Sequence, residues 1–445
     1  MTTAGRTGPR ATPPGPSRSA VVTGIGLVTP VGSGAAEVFG ALCAGQSGLR
    51  KPPPGHPVAG VLDVAGIGPR LDPAGLLPRR EARTVDRYIV MALVAAAAAL
   101  GDAGLLVGRD VDPYRIGVIV SGVGGLATLD AQSLARSRRG RVGVSPFLLP
   151  GMLPSMGAAH IAIKYGIRGY SSSIATACAA GAESIGMAMR LIRGGDADVM
   201  ICGSSEAHLF PVLADAFGNA WALAHDWDDP TAASRPFDRR RNGFVLSEGA
   251  GLLVLERPAH AAARGAAGYA DIAGWAATTD AHHITTPRPD GTGAAEAMRR
   301  ALTDAQITPR DIGYVNAHGT STKLGDAAEA LAIRTVFATS PPVSSIKGNT
   351  GHMLGASGAV EAAVTAAAIC SGTLPPTRNL DDPDPACDLD HVRKEPRSAA
   401  VSYALSNSFG FGGHNTSLVL ARPSTAKRRS AQSLAVAPPG EERNI

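Results

Sequence analysis

Cys178 lies in the stretch "SSSIATACAAGAESIGMAMRLIRGG", Ser171 to Gly195, among Thr, Ala and Gly where an apolar strand gives way to a helix. A thiol at a helix start meets unpaired N–H groups and the positive end of the helix dipole, which favour the thiolate, and small neighbours leave room for a substrate. That arrangement suits a nucleophile; the other reading is a small buried hydrophobe. Two histidines bear on the choice. His318 in "YVNAHGTSTKLGDAAEA" and His352 in "SSIKGNTGHMLGASGAVEA" each follow an apolar strand and sit among Gly, Ser and Thr, a poor setting for a histidine that only packs. Neither shows a ligand spacing such as H-E-x-x-H, so no metal site is expected. One cysteine with two loop histidines points to covalent thioester chemistry.

These groups need elements to hold them. Ala182, Ile185, Met189 and Ile192 recur at helical spacing after Cys178, and "RGG" ends the run. Strand-length apolar runs, among them "AVVTGIGLV", "RIGVIVSG", "ADVMICGSS" and "GAGLLVLE", alternate with Ala-rich helical segments, which is an α/β pattern with buried strands. The pattern also echoes itself. Ser172-Ser173-Ile174 precedes a helix expected from Gly181 to Gly195, and Ser344-Ser345-Ile346 precedes one expected from Gly358 to Gly372. Each is followed by an apolar strand and a Gly/Ser loop, "VMICGSSE" and "VSYALSNSFGFGG". This predicts a duplicated unit in which the turns before the two helices face one another. The expected divisions are an unstructured arm over 1–19, a first half over 20–262 with Cys178, a second half over 263–422 with both histidines, and an unstructured tail over 423–445.

Composition narrows the function further. With 445 residues and 44% hydrophobic content the chain can bury a large core. Lys and Arg number 42 against 37 Asp and Glu, and the excess forms no long basic run, so no nucleic-acid partner is expected. Five cysteines lie far apart without a C-x-x-C, which suits a reducing cytoplasm. The opening residues hold no apolar stretch of the kind a secretory signal requires. "YIVMALVAAAAALGDAGLLVG", interrupted by Asp102 and two glycines, reads as a buried helix and not as a membrane span.

"TACAAG", "NAHGTSTKLGDAAEA", "SSIKGNTGHMLGASGAVEA" and "NSFGFGGHN", with "AVVTGIGLVTPVG" and "RPFDRRRNGFVLSEGAGLLVLE", resemble the β-ketoacyl-acyl-carrier-protein synthases of the elongating, two-histidine type, in that family's order from about Ala20 to Arg422. The resemblance implies a thiolase-type duplicated fold, a five-layer αβαβα sandwich, forming a homodimer or a heterodimer with a chain-length-factor-like chain. It implies acyl transfer from an acyl carrier protein to Cys178, then decarboxylative condensation with malonyl carrier protein, with no cofactor beyond the carrier's own phosphopantetheine. Backbone N–H groups of Cys178 and Phe411 would form the oxyanion hole, and Phe411 a gate. His318 and His352, neutral and donating, would stabilise the enolate that forms as carbon dioxide leaves. Lys347, Glu329 and Asp326 would support the site, an ion-pair role being the other reading for all three. Val123, Phe217 and Phe409 fall where the acyl tunnel is lined, and Arg80 and Arg83 where the acidic carrier docks, unless that pair is only a solvated face.

Three positions depart from the family's pattern: Thr84 where a further basic residue is common, Asn242 for an Asp, and Ser247 for a Gly. Within the family, His352 argues against the chain-initiating type, which has Asn there, and Cys178 against a chain-length factor. A heterodimeric polyketide or polyene subunit stays open beside fatty-acid elongation, as does a non-catalytic partner subunit. An α/β hydrolase would need G-x-S-x-G, which is absent.

Overall fold

The computed structural model describes residues 19–423, 427–430 and 434. Its core is one unit used twice. The first copy runs β1 (Ala20–Thr29), α1 (Arg87–Ala103), β2 (Ile116–Ser121), α2 (Met156–Tyr165), β3 (Ser171–Ser172), α3 (Ala180–Gly194), β4 (Val199–Glu206) and β5 (Gly249–Glu256). The second runs β6 (Ala270–Thr279), α4 (Thr292–Asp304), β7 (Ile312–Asn316), α5 (Lys323–Val336), β8 (Val343–Ser344), α6 (Gly355–Ser371), β9 (Tyr403–Gly410) and β10 (His414–Ala421).

The sheets match as well. Strand order is β3-β2-β4-β5-β1 in the first copy and β8-β7-β9-β10-β6 in the second. The two are joined edge to edge by three antiparallel pairs, Ala20 with Ile272, Val21 with Asp271 and Val22 with Ala270. Both joining strands carry a bulge at the same place, between Val22 and Gly24 in β1 and between Ile272 and Gly274 in β6.

β1, β2, β4 and β5 are buried along their whole length, which is why they read as unbroken apolar runs. The outer helix α1 covers β1 and β5, and α4 covers β6 and β10. Between the sheets lie α3 and α6, packed on each other and each touching strands of both copies. This gives the five-layer αβαβα sandwich. α3 buries the expected stripe of Ala182, Ile185, Met189 and Ile192 and stops at Gly195, whose φ of 80° closes the helix in the left-handed conformation. α6 has no stripe because it is buried from Gly355 to Ile369. The central pair sits close because a Cβ on Gly181 would strike Ala359 and one on Gly358 would strike Ala182.

Some expectations shift. α6 starts at Gly355, three residues before Gly358, and β3 and β8 keep only two residues each, because the chain leaves the sheet edge early to reach the turns before the central helices. The tail is not unstructured from 423 onward. Lys427–Arg428 pairs with Ala267–Gly268, and Arg429 binds Asp102 at 2.7 Å with its guanidinium 4.4 Å over the Tyr269 ring. A free backbone edge and a carboxylate supply those partners, which tail composition alone does not disclose. The expected arm, at residues 1–18, and the rest of the tail lie outside the described residues. Among the described residues no helix is long and apolar enough to cross a membrane.

Candidate active site

The turns before α3 and α6 meet. Cys178 sits in a single 3₁₀ turn, Ala177–Ala179, just ahead of α3, and Ala177 adopts φ 50°. Leu354, just ahead of α6, adopts φ 48°. Two non-glycine residues in the left-handed region, one per half, mark strained turns that the surrounding packing has to hold. Across them, His352 Nε2 lies 3.0 Å from Cys178 Sγ. His318 comes from the loop after β7 and packs edge-on to His352, ring centres 5.4 Å apart.

Each histidine is buttressed through its other nitrogen. His318 Nδ1 lies 3.4 Å from Lys347 Nζ, which also donates to the His318 carbonyl at 2.5 Å and forms a buried ion pair with Glu361. An ammonium only donates, so Nδ1 accepts and the His318 proton sits on Nε2. His352 Nδ1 lies 3.1 Å from Ser357 Oγ. Glu329 accepts from the backbone N–H groups of His318 and Gly319, at 2.9 and 2.8 Å, and so fixes the loop that carries His318.

Burial sets the electrostatics. It holds both histidines well below their usual value, helped by the Lys347 charge beside each, so both are neutral near pH 7. It pushes Glu329 and Glu361 up to about 7, against the backbone donors on the first and Lys347 on the second. It also pushes the Cys178 thiol up to about 12, although Lys347 and the backbone N–H groups of Phe411 and Cys178 pull the other way. The expected thiolate-favouring helix start is therefore corrected: desolvation outweighs the helix end, and the free site holds a thiol. The same two N–H groups point toward Cys178 Sγ. Gly410 lets the Phe411 loop approach, since a Cβ there would crowd the Cys178 nitrogen at 3.1 Å.

A cavity of about 510 Å³ opens onto these groups. Cys178, His318 and His352 line it, as do Val123, Phe217, Phe409 and Phe411. Phe217 lies 6.3 Å from Phe411, ring centre to ring centre. Glu329 also reaches the cavity, whereas Lys347 stands behind His318. Asp326 is not brought to the cavity: it is buried in the first turn of α5, accepts from Phe237 and Ser321 N–H groups and faces Arg241, a loop-shaping role. Arg80 and Arg83 are exposed on the surface around the turn Glu81–Arg83, away from the cavity.

The departures have local partners. Thr84 closes that turn through Oγ1 to the Glu81 carbonyl, Asn242 accepts from Trp227 Nε1, and Ser247 donates to the Thr350 carbonyl. Sequence reasoning missed Glu361 and Ser357. The signal for Glu361 was a lone charge inside the Ala-rich run "GAVEAAVTAAAIC"; a serine four residues before it gave none. Arg136, Arg138 and Arg139 are exposed in the last turn of the helix Leu126–Arg139, and Arg141 is exposed in the turn that follows.

Family profiles for the beta-ketoacyl synthase N-terminal and C-terminal domains match residues 17–261 and 269–381. The chain belongs to the beta-ketoacyl synthase family. It is 42% identical to a 3-oxoacyl-[acyl-carrier-protein] synthase 2 of Synechocystis sp. over 89% of its length and 96% of that protein. It is also 42% identical to the protein of that name from Vibrio harveyi, over 90% and 98%. Among solved structures it is similar to a type II PKS ketosynthase in complex with its acyl-carrier protein, at TM-score 0.84 and 34% identity over 91% of this chain and 100% of that one. The ishigamide ketosynthase/chain length factor gives TM-score 0.85 and 31% identity over 92% and 100%. The thiolase-type fold of this synthase family, and its place among the condensing acyltransferases, follow from these matches.

Proposed function

We propose that the protein extends an acyl chain by two carbons, taking the acyl group from an acyl carrier protein onto Cys178 and condensing it with malonyl carrier protein. The observation that carries this reading is the junction of Cys178 from one half with His352 and His318 from the other, on one apolar cavity. In the first stage Cys178 Sγ bonds to the acyl carbon and the carrier's C–S bond breaks; the thiol proton ends on the departing carrier thiol. The N–H groups of Cys178 and Phe411 bear the tetrahedral oxyanion. In the second stage the malonyl C–C bond to carboxylate breaks, and the electron pair passes into an enolate. His318 and His352 donate N–H bonds to its oxygen. The carbanion carbon then bonds to the acyl carbon, the Cys178 thioester C–S bond breaks, and the departing thiolate takes up a proton from water to restore the thiol.

Arg80 and Arg83 fit docking of the acidic carrier, and exposed Arg136, Arg138, Arg139 and Arg141 add positive charge around the end of the helix Leu126–Arg139. Asp86 caps α1 and accepts from Thr128, which fixes the start of that helix against α1. Exposed Ile163 and Tyr170 flank the free edge of β3, which fits a dimer with a second copy or a chain-length-factor-like chain. A cytoplasmic location suits five unpaired thiols.

The test is intact-mass analysis after incubation with acyl carrier thioester, followed by product analysis after addition of malonyl carrier protein. An acyl adduct mapped to Cys178 and a product two carbons longer support the reading. No adduct, with or without a partner subunit, leaves the non-catalytic reading standing.

A further inference from the structure

Ser357 lies in the first turn of α6, fully buried, and no step of the proposed reaction uses it. Its Oγ accepts from the Met353 N–H at 2.9 Å and lies 3.1 Å from His352 Nδ1. Two protonation patterns fit the second contact. Either the imidazole donates to Oγ, or the hydroxyl donates to the imidazole. The hydroxyl proton decides between them. Among the described residues no carbonyl, carboxylate or other acceptor besides His352 Nδ1 lies within hydrogen-bond reach of Ser357 Oγ, and a buried O–H without an acceptor is costly.

We infer that Ser357 is a positioning residue that fixes the tautomer of His352, through a chain running from Met353 N–H to Ser357 Oγ–H to His352 Nδ1. The His352 proton is thereby placed on Nε2, the nitrogen 3.0 Å from Cys178 Sγ, and points at the reacting groups. His352 then cannot take the Cys178 proton through that nitrogen; it can only donate, to sulfur before acylation and to the malonyl thioester oxygen afterwards. The two histidines reach one state by different means. An ammonium sets His318 from Lys347, and a relayed backbone N–H sets His352 from Ser357, so only one buried ammonium is needed behind the pair.

The role in condensation rests on the proposed function, but the tautomer does not, and the experiment separates them. Nitrogen-15 NMR of the full-length protein, labelled at histidine, reads which His352 nitrogen bears hydrogen in wild type, Ser357→Ala and Ser357→Cys. Malonyl carrier protein decarboxylation gives kcat and KM for each. We expect a pure Nε2–H signal in wild type, a mixture of tautomers in Ser357→Ala, and an intermediate state in the near-isosteric, weaker donor Ser357→Cys. The Ser357→Ala kcat should fall about tenfold with KM unchanged, the size of one lost hydrogen bond. A wild-type Nδ1–H signal overturns the inference, as does Ser357→Ala with an unaltered tautomer whatever its rate. An altered tautomer with an unaltered kcat overturns its part in the reaction. If wild type does not decarboxylate malonyl carrier protein at all, the proposed function fails while the tautomer result stands.

Discussion

The two halves share a scaffold and divide the chemistry. Each has the same strand order, a bulge at the same point of its joining strand, and a left-handed residue before its central helix. Behind those turns they differ. In the first half burial works against Glu256, but bonds from Arg264, His260 and Thr23 carry it down to about 2. The second half buries Asp326, Glu329 and Glu361 with their pKa values pushed upward. Duplication supplies a matched pair of helix starts, and in the proposed reaction divergence makes one side the nucleophile and the other the donor set.

The sharpest way to break this division is to disable one side. Cys178→Ala should abolish the acyl adduct yet leave measurable decarboxylation of malonyl carrier protein, because the donors lie in the other half. His318→Ala or His352→Ala should lower that decarboxylation by about 10²- to 10³-fold, the usual cost of an oxyanion donor. Because both histidines are held neutral, the residual Cys178→Ala activity should be flat between pH 6 and 8. A histidine titration near pH 6.5 in that rate, or wild-type decarboxylation in either histidine variant, would sink the donor assignment.

Next in size is the ion pair behind His318. Lys347→Ala leaves Glu361 buried and unpaired, and Glu361→Ala does the same to Lys347, so each should cost about 3–5 kcal/mol in denaturant unfolding. Lys347→Met with Glu361→Leu together should cost less than either alone. If the double variant is the worst of the three, the cost of the single variants does not come from an unpaired buried charge.

How far these differences were legible in the sequence follows from their physics. Cys178, His318 and His352 stood out because reactive side chains among Gly, Ser and Thr are odd company, and the echo around Ser172 and Ser344 announced the duplicated unit. Glu361 was hidden inside a helix read only for its apolar content, and Ser357 inside a turn where serine is ordinary. The thiol's upward shift was out of reach, because a helix start is visible in sequence and enclosure by the opposite half is not. The docked stretch 427–430 was missed for the same reason, since its partners Gly268 and Asp102 are remote in the chain.

A pH series sharpens the electrostatic contrast. Glu329 has its pKa raised from the usual 4.5 to about 7, so the folded state binds more protons than the unfolded state across that window. Its contribution is fully present below about 4.5 and is lost as pH rises through 7, a swing of about 3 kcal/mol. Glu256, with its pKa lowered, contributes above about 4.5 and loses that contribution only as pH falls toward 2. Glu329→Gln should therefore flatten the decline in stability between pH 5 and 7.5, measured by urea unfolding. Equal slopes in wild type and Glu329→Gln would contradict the assignment.

The smallest expected effects probe the scaffold that the halves still share. Gly24 in β1 lies against the Ala99 carbonyl and Ala103 of α1, and Gly274 in β6 lies against the Ala301 carbonyl and Ala305 at the end of α4. Each sits just past its strand's bulge, and neither has a positive φ, so close approach of the outer helix is what excludes a side chain. Gly24→Ala and Gly274→Ala should each cost about 1–3 kcal/mol by overpacking. The two costs should agree within about 1 kcal/mol and, at sites in opposite halves, should add in the double variant. A large cost at one site and none at the other would mean that the outer layers, like the inner turns, have diverged, and that only the strand order survives of the original symmetry.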